Sequence, residues 1–312
     1  MTSAGPVDLS VNIGALRLRN PIIAASGTFG YGVEFAHLVV LNKIGGLVTK
    51  GLSLAPIQGS PAPRLCETPS GMLNAVGLQN VGVRAFIAEK IPVLRNYDTV
   101  VVANVFGYSP EEYSEVICIL EDAPVVAAYE LNISCPNVKR GGIQFGSDPA
   151  MVSQVVGVAR KAAANRPLWV KLSPLVTDIR LIARAAEEAG ADALTVANTY
   201  PAMALDAETG KSRLGCSTGG LSGPAIRPIT LRLVWEASKT VRIPIIGLGG
   251  IEKVDDVLEY LAVGATAVQV GTASFVSPAA PELLASRLEA RAKQYKSFDM
   301  NGLKQKLVLK FD

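Results

Sequence analysis

The stretch AYELNISCP at residues 128–136 begins as a mostly apolar run and ends in Asn, Ser, Cys and Pro. Short apolar runs of this kind recur along the chain, and most are followed by Gly, Asn, Ser or Thr and then by a helical pattern. Continuous apolar runs are typical of parallel strands that are buried on both faces. The eight runs are NPIIAAS (20–26), GGLVTKG (45–51), TVVVANVFG (99–107), AYELNISCP (128–136), LWVKLSP (168–174), ALTVANT (193–199), IPIIGLGGI (243–251) and AVQVGTA (267–273).

Helix-like segments lie between these runs. Two of them are PAMVSQVVGVARKAAA (149–164) and TDIRLIARAAEEAG (177–190), and the second ends in a glycine of the kind that caps helices. Eight strands that alternate with helices predict an α/β fold, a closed (β/α)8 TIM barrel, with a doubly wound open sheet as the alternative. Because single α/β barrels commonly reach this size, we expect one domain over residues 1–312.

Three long segments are rich in Gly, Pro and Ser, and they are residues 52–98, 134–150 and 200–225. Two follow a proposed strand directly, and the third begins within the polar end of one. Long loops at the C-terminal ends of barrel strands are where such folds build active sites. We therefore expect these segments to be loops around a functional site.

Composition limits the classes of function. Apolar residues make up 49% of the chain and charged residues 18%, and the net charge of +3 is too small to indicate a nucleic-acid partner. The sequence has no secretory signal and no apolar run long enough to span a bilayer, so we expect a cytoplasmic protein without membrane contact. The cysteines are Cys66, Cys118, Cys135 and Cys216, and without C-x-x-C spacing they disfavour a metal or iron–sulfur site on this chain.

The single histidine narrows the acid–base chemistry. His37 lies in EFAHLVV, which has a helical pattern, and its simplest interpretation is a histidine on a helix flank. An enzyme built on this chain would therefore take its base from Cys, Lys, Asp, Glu or Tyr.

Polar residues stand at the strand ends and would converge at one end of a barrel. Buried lysines and amides cost several kcal/mol unless they have partners, which a shared polar ligand could supply. A turn cap is the simpler interpretation of any one asparagine, and it weakens when several occupy equivalent positions. The residues are Ser26, Lys50, Asn104, Asn132 with Cys135, Lys171, Asn198 with Thr199, Gly249 with Gly250, and Gly271 with Thr272, joined by Asn74 from the loop NAVGLQN.

The glycines after the last two runs, GLGGI and VGTASF, fit a phosphate site made of backbone N–H groups, with GGLSGP (219–224) as a further contributor. One phosphate and a body that needs amides and a lysine suggest flavin mononucleotide, FMN, with Lys171 near its pyrimidine edge. For Lys171, a Schiff-base lysine, as in barrel aldolases, and a plain lysine at the rim of the core are the alternatives.

Cys135, with an ordinary thiol pKa of roughly 8.5, could be a base beside the flavin, whereas the other cysteines are interpreted as structural.

Several motifs together resemble the dihydroorotate dehydrogenase family. They are NISCPN, NPIIAASGTFGYG, TKGLSLAP, NAVGLQN, ANVFG, WVKLSP, TVANT, GGLSGPAI, IIGLGGI and VQVGTASF, and they extend from about residue 8 to beyond 275. The resemblance implies an FMN-containing α/β barrel that oxidises (S)-dihydroorotate to orotate in de novo pyrimidine biosynthesis.

The resemblance also implies roles for individual residues. Cys135 matches the base of the soluble class 1 enzymes, whereas class 2 enzymes have serine there and an N-terminal membrane-binding extension. The orotate pocket is matched by Lys50, Asn74, Ala75, Val76, Gly77, Leu78, Asn132, Asn137, Asn198 and Thr199. The FMN site is matched by Ser26, Lys50, Gly51, Asn104, Asn132, Lys171, Ala197, Gly223, Gly249, Gly250, Gly271 and Thr272.

Within class 1, NISCPNVKRGGIQFGSDP and NAVGLQN are similar to the 1B branch, while the 1A branch tends to have Met where this chain has Val76. The 1B resemblance implies a partner subunit that carries FAD and a [2Fe–2S] cluster and passes electrons to NAD⁺. The expected assembly is a homodimer core within a heterotetramer. The alternatives are a 1A-type enzyme that uses fumarate, a flavin-free lyase or aldolase that uses Lys171, and a binding subunit without turnover.

Overall fold

The computed structural model describes residues 7–134, 145–307 and 309. Within these ranges the chain forms fourteen short strands. In chain order they are β1 (Val11–Ile13), β2 (Leu16–Leu18), β3 (Ile22–Ala24), β4 (Gly46–Val48), β5 (Leu65–Thr68), β6 (Gly71–Asn74), β7 (Val100–Val105), β8 (Val126–Asn132), β9 (Leu168–Lys171), β10 (Ala193–Val196), β11 (Tyr200–Ala202), β12 (Gly219–Ser222), β13 (Ile245–Leu248) and β14 (Ala267–Val270).

Eight of these strands form a closed parallel barrel in the order β10-β13-β14-β3-β4-β7-β8-β9. Each barrel strand pairs with the next barrel strand along the chain, and β14 closes the ring on β3. Seven of the eight predicted runs contain a whole barrel strand and the eighth, 128–136, overlaps β8, so the (β/α)8 prediction is confirmed and the open-sheet alternative is wrong. The strands are buried on both faces because helices cover the outside of the ring.

The helices lie mainly between the barrel strands. Both predicted helices are present, and each begins at an aspartate whose carboxylate accepts a backbone N–H, Asp148 from Met151 and Asp178 from Arg180. The helices are α1 (Val83–Ala85), α2 (Ile91–Leu94), α3 (Pro110–Glu121), α4 (Pro149–Ala162), α5 (Ile179–Glu188), α6 (Arg227–Ser238), α7 (Val254–Ala262), α8 (Ala273–Val276), α9 (Ala280–Gln294) and α10 (Met300–Gln305), with a π-helical segment at Phe86–Lys90.

A second sheet, here called the mouth sheet, has the antiparallel order β11-β12-β6-β5. Its strands come from residues 52–98 and 200–225, so the expectation that these segments are loops is wrong for these four strands, and it is also wrong for the helical residues 83–94. The strands are short, β6 and β12 contain glycine, and β6 pairs with β12 from almost 150 residues away, Leu73 opposite Leu221. Such pairing leaves no local pattern, because its partners are distant in sequence.

The helical prediction around His37 is also wrong. The chain there forms successive turns in which backbone N–H groups bond three residues back, such as Phe35 to Gly32 and Leu38 to Phe35. Gly30 and Gly32 both have positive φ, which prevents a regular helix from starting before this stretch. His37 is exposed.

No helix in the part of the chain that the structure describes is long and apolar enough to cross a membrane.

Candidate active site

The C-terminal ends of the barrel strands define one face of the molecule, here called the mouth. Asn132 is the last residue of β8, and Asn198 follows β10 across the intervening strand β9. The Asn198 Nδ2 donates to the Ser134 Oγ at 2.5 Å, and the Ser134 hydroxyl donates to the Asn132 Oδ1 at 2.7 Å. Asn132 is nearly buried, so two strand-end amides and one hydroxyl share a partly dry space. Cys135 follows Ser134 in the sequence, and both Cys135 and Asn137 lie outside the described residues.

Lys50 extends the site after β4, which one strand, β7, separates from β8. Lys50 is half-buried, and the desolvation that this causes is the main reason why the pKa of its ammonium group is lowered. The charge of the Arg64 guanidinium lowers the pKa further, whereas the Glu34 carboxylate raises it. Arg64 is held by the carbonyl oxygens of Ser60 and Gln58 and by the Gln79 side chain. The charges of Lys50 and Arg64 therefore repel each other in this part of the mouth, and an anionic ligand would relieve the repulsion.

The mouth sheet contacts the strand ends through side chains. The Asn74 Nδ2 at the end of β6 donates to the Gly220 carbonyl at 3.1 Å. A Cβ on Gly220 would stand 2.1 Å from the Thr199 Oγ1, so this backbone lies directly against the residue that follows Asn198. The Thr272 hydroxyl after β14 donates to the Ser222 Oγ at 2.8 Å. Asn74, Thr199 and Thr272 are thereby brought to one rim.

The loop at residues 75–78 has unusual backbone geometry. Gly77 and Leu78 both have positive φ, of 70° and 57°, and Leu78 is a non-glycine residue in this region. The buried Asn80 holds the loop, because its Nδ2 donates to the Leu78 carbonyl and to the Ser53 Oγ, both at 2.9 Å. This links the loop to the segment that carries Lys50.

Lys171 lies at the end of β9, and in the register it stands opposite Asn132. Residues opposite each other on neighbouring strands point to the same side of a sheet, so both side chains belong to the interior near the mouth. Lys171 is 4% exposed. Glu130 lies two residues before Asn132 on β8, so its side chain also points into the barrel, one level further from the mouth. Its carboxylate accepts hydrogen bonds from Asn104, Thr195 and Gln269.

Glycines bring backbone segments together on the side of β13 and β14. A Cβ on Gly250 would lie 2.7 Å from the Gly223 carbonyl oxygen, and one on Gly223 would lie 2.8 Å from the Gly71 Cα. Both glycines have positive φ, as does Gly249 at 151°. Side chains at these positions would close the space between the mouth sheet and the strand ends.

The remaining predicted residues also lie around the mouth. Ser26 follows β3 and Gly271 follows β14, while Gly51 approaches the Asn104 side chain, with its Cβ position 3.1 Å from the Asn104 Oδ1. Ala197 is buried, its N–H bonds to the Leu248 carbonyl, and the Val196–Ala197 peptide is cis. Ala75 donates its N–H to the Arg64 carbonyl, and the Val76 carbonyl accepts from the Ser60 N–H.

Sequence reasoning missed several residues of the site. Glu130 had a usable signal, because a carboxylate inside a strand that is buried on both faces needs a reason to be there. Ser134 and Arg64 had none, since their partners are set by the tertiary contacts of the mouth. Gln269 lies in AVQVGTA and is the only polar side chain before the glycine, which is a weak signal.

The fold and the site define a TIM barrel whose mouth is lined by amides and two lysines and covered by an antiparallel sheet. Residues 8–291 match the family model described as dihydroorotate dehydrogenase, and the chain belongs to this family.

Curated relatives agree with this assignment. The chain is 58% identical over 281 residues to the "Dihydroorotate dehydrogenase B (NAD(+)), catalytic subunit" of Trichlorobacter lovleyi, with 90% of this chain and 92% of the relative covered. It is 56% identical over 282 residues to the protein of the same name from Pelobacter propionicus, with the same coverage. It is 55% identical over 280 residues to the "Putative dihydroorotate dehydrogenase A (fumarate)" of Solibacter usitatus, again with 90% and 92% covered.

Proposed function

We propose that this protein oxidises (S)-dihydroorotate to orotate in de novo pyrimidine biosynthesis, as an FMN-dependent dihydroorotate dehydrogenase. One observation carries the proposal: the hydrogen-bonded cluster of Asn132, Ser134 and Asn198 lies at the same barrel mouth as Lys50 and Lys171, in a chain that matches the family over residues 8–291. Membership of the family favours this function over a flavin-free lyase or aldolase that would use Lys171.

The residues of the mouth fit a flavin mononucleotide. The Asn104 Oδ1 is buried and has no donor among the described residues, so an N–H group of a ligand ring would satisfy it. Gly223, Gly249 and Gly250 let the backbone segments after β12 and β13 pack closely at this rim, and backbone N–H groups of such glycine-rich turns are typical phosphate ligands. We assign the holding of FMN to Ser26, Lys50, Gly51, Asn104, Asn132, Lys171, Ala197, Gly223, Gly249, Gly250, Gly271 and Thr272. When bound, FMN supplies the acceptor for the hydride that leaves C6 of dihydroorotate while a base removes the C5 proton.

The substrate side of the mouth would bind the ring and carboxylate of dihydroorotate. A planar ring with carbonyl and N–H edges needs both donors and acceptors, which the amides of Asn74, Asn132 and Asn198 provide. Lys50 would pair with the substrate carboxylate, and this pairing would offset the cost of its burial. The Leu78 backbone, held at positive φ by Asn80, would complete the pocket.

Cys135 remains the proposed base, with its thiolate Sγ taking the C5 proton. It directly follows Ser134, whose hydroxyl is bonded between Asn132 and Asn198, and this supports a place for the reacting carbon near those amides. Asn137 is proposed as a further substrate contact.

For the physiological acceptor we propose NAD⁺, reached through a partner subunit that carries FAD and a [2Fe–2S] cluster in a heterotetramer built on a homodimer. The names of the Trichlorobacter and Pelobacter relatives, which call them NAD⁺-linked catalytic subunits, support this choice. The Solibacter relative carries a fumarate-type name, so direct reduction of fumarate is the second candidate.

The first experiment is the anaerobic addition of dihydroorotate to the purified protein. We expect a yellow protein that bleaches, and in Cys135→Ala we expect bleaching to be slower by roughly 10²–10⁴-fold, the usual contribution of a general base. Cys118→Ala is the matched control, because Cys118 is exposed on α3 and should leave the rate unchanged. Near-normal bleaching in Cys135→Ala would refute the base assignment, whereas a colourless protein with a borohydride-trapped adduct on Lys171 would refute the function.

The second experiment tests the acceptor on material co-purified from the native source. Oxidation of dihydroorotate with NAD⁺, dependent on a co-purifying flavoprotein, is the expected result. Turnover by the isolated chain with fumarate and none with NAD⁺ would support the 1A-type function instead.

A further inference from the structure

A single carboxylate organises the polar interior of the barrel beneath the mouth. Glu130 on β8 is fully buried, and so are the three residues that donate to it. The Asn104 Nδ2 donates to its Oε1 at 2.8 Å, while the Thr195 hydroxyl and the Gln269 Nε2 donate to its Oε2 at 2.7 and 2.5 Å. A buried carboxylate needs such donors, because without them its desolvation costs several kcal/mol.

The carboxylate sets the orientation of the two amides. Because both Glu130 oxygens accept hydrogen bonds from these side chains, Asn104 and Gln269 turn their NH₂ groups towards the carboxyl group and their oxygens away from it. Both oxygens, the Asn104 Oδ1 and the Gln269 Oε1, are buried and have no donor among the described residues. Most buried acceptors are satisfied, and here the two unsatisfied oxygens belong to amides that donate to the same carboxyl group. We therefore infer that a group other than the described side chains completes them.

The Asn104 oxygen faces a place that a glycine keeps open. A Cβ on Gly51 would stand only 3.1 Å from it, and Gly51 follows Lys50 at the end of β4. Asn104 is also fixed through its backbone, because its N–H donates to the Thr49 Oγ1 at 3.2 Å and its carbonyl accepts from Leu52 at 2.8 Å. With the backbone fixed, rotation of the side-chain amide decides whether its oxygen or its NH₂ group points towards Gly51. The hydrogen bond from the Asn104 Nδ2 to Glu130 directs the oxygen towards Gly51.

We propose that Glu130 is a positioning residue for cofactor recognition: it holds the Asn104 amide so that its oxygen accepts a hydrogen bond from the N–H of the flavin pyrimidine ring. The inference rests on the proposed function. It adds Glu130 as the residue that keeps the Asn104 oxygen, and not its NH₂ group, directed at that N–H. With a neutral residue in place of Glu130, the Asn104 amide can rotate and present its NH₂ group. The site would then no longer distinguish a ring that carries this N–H from one that lacks it.

The test compares the binding of FMN with that of N3-methyl-FMN, which lacks the N–H donor. The full-length protein is freed of flavin, and each flavin is titrated in by fluorescence quenching. The wild type should bind FMN at least about 10²-fold more tightly, because the analogue leaves a buried acceptor unpaired. In Glu130→Gln we expect this ratio to fall to about tenfold or less, because FMN binding weakens about tenfold or more while binding of the analogue changes little.

Two further variants keep the test decisive. Asn104→Ala should lose the same discrimination even if Glu130→Gln does not fold. Glu121→Gln is the matched control, because it also turns a carboxylate bonded by a neutral donor, the Tyr129 hydroxyl, into an amide, but on the outer wall of the barrel. It should keep the wild-type ratio.

The possible outcomes separate this inference from the proposed function. A protein that oxidises dihydroorotate and keeps its full discrimination in Glu130→Gln would overturn the positioning role while the function stands. Retained discrimination in Asn104→Ala would overturn it as well. A wild type that binds neither flavin would overturn both.

Discussion

The barrel and the mouth sheet surround the same site but are built in opposite ways. Each barrel strand pairs with the next barrel strand along the chain and is almost fully buried, as in β9, where Trp169 is 0% exposed. The mouth sheet joins two segments that are far apart in sequence, and all four residues of β12 are only half-buried. Half-burial leaves less apolar area to stabilise these strands, so the barrel should carry the stability of the protein.

The two regions should also divide the binding functions. Glu130, Asn104 and Lys171 belong to barrel strands and lie at or below the level of the strand ends, whereas Asn74 and the Gly220 backbone belong to the mouth sheet. We therefore expect changes in the barrel interior to affect stability and the cofactor, and changes in the mouth sheet to affect the substrate.

The largest expected effect separates the two regions by stability. Trp169→Ala removes a fully buried side chain from the barrel and should lower the free energy of unfolding by about 3–5 kcal/mol. Leu65→Ala in β5 truncates a side chain that is 42% exposed and should cost less than about 1 kcal/mol. Urea unfolding of both variants with the flavin bound gives the comparison. Equal losses would contradict the assignment of stability to the barrel.

A change in the mouth sheet should affect the substrate alone. In Gly220→Ala the new Cβ would collide with Thr199 and disturb the contact between Asn74 and residue 220, so we expect KM for dihydroorotate to rise about tenfold, or ~1.4 kcal/mol. The FMN content should stay at the wild-type level. Steady-state kinetics and the flavin absorbance per chain measure the two quantities.

Gly157→Ala is the control for that glycine. Gly157 lies within α4, and a Cβ there meets no atom within 4 Å. The substitution should leave KM unchanged and stabilise the helix by roughly 0.5–1 kcal/mol. A rise in KM in this variant as well would mean that the effect of Gly220→Ala does not come from the mouth.

The smallest expected effect on stability concerns Lys50, which follows β4 at the mouth. Because burial lowers its pKa in the folded state, the charged lysine destabilises the ligand-free fold at pH 7, and this penalty disappears as the pH rises towards the unfolded value of 10.5. Lys50→Met should therefore raise the Tm of the flavin-free protein at pH 7 by about a degree or two, and the gain should vanish near pH 10.5.

The same variant should lose dihydroorotate-dependent bleaching after reconstitution with flavin. Lys161→Met replaces an exposed lysine in the last turn of α4, and it should show neither the gain in Tm nor the loss of bleaching. A fall in Tm at pH 7 in Lys50→Met would contradict the burial penalty at this site.

The sequence predicted the barrel well because its signal is local. Each run of apolar residues is a strand by itself, and the closed parallel order follows from pairing each one with the next. The positions of Asn132, Lys171 and Asn198 followed for the same reason, since residues at strand ends must meet at one rim once the barrel closes. The turns around His37 show the limit, because the apolar spacing there suits a helix but the chain forms turns instead, after two glycines at positive φ.

By itself, then, the amino-acid sequence determined the eight strands, the rim at which the polar residues gather and the family to which the chain belongs. Tertiary structure alone decided the mouth sheet, the hydrogen bond from Asn80 to the Leu78 carbonyl and the environment of Glu130. The physical reason is range: periodicity and strand-end chemistry are properties of neighbouring residues. The partner of a buried carboxylate or of a short glycine-rich strand is instead chosen by contacts between residues that are far apart in the chain.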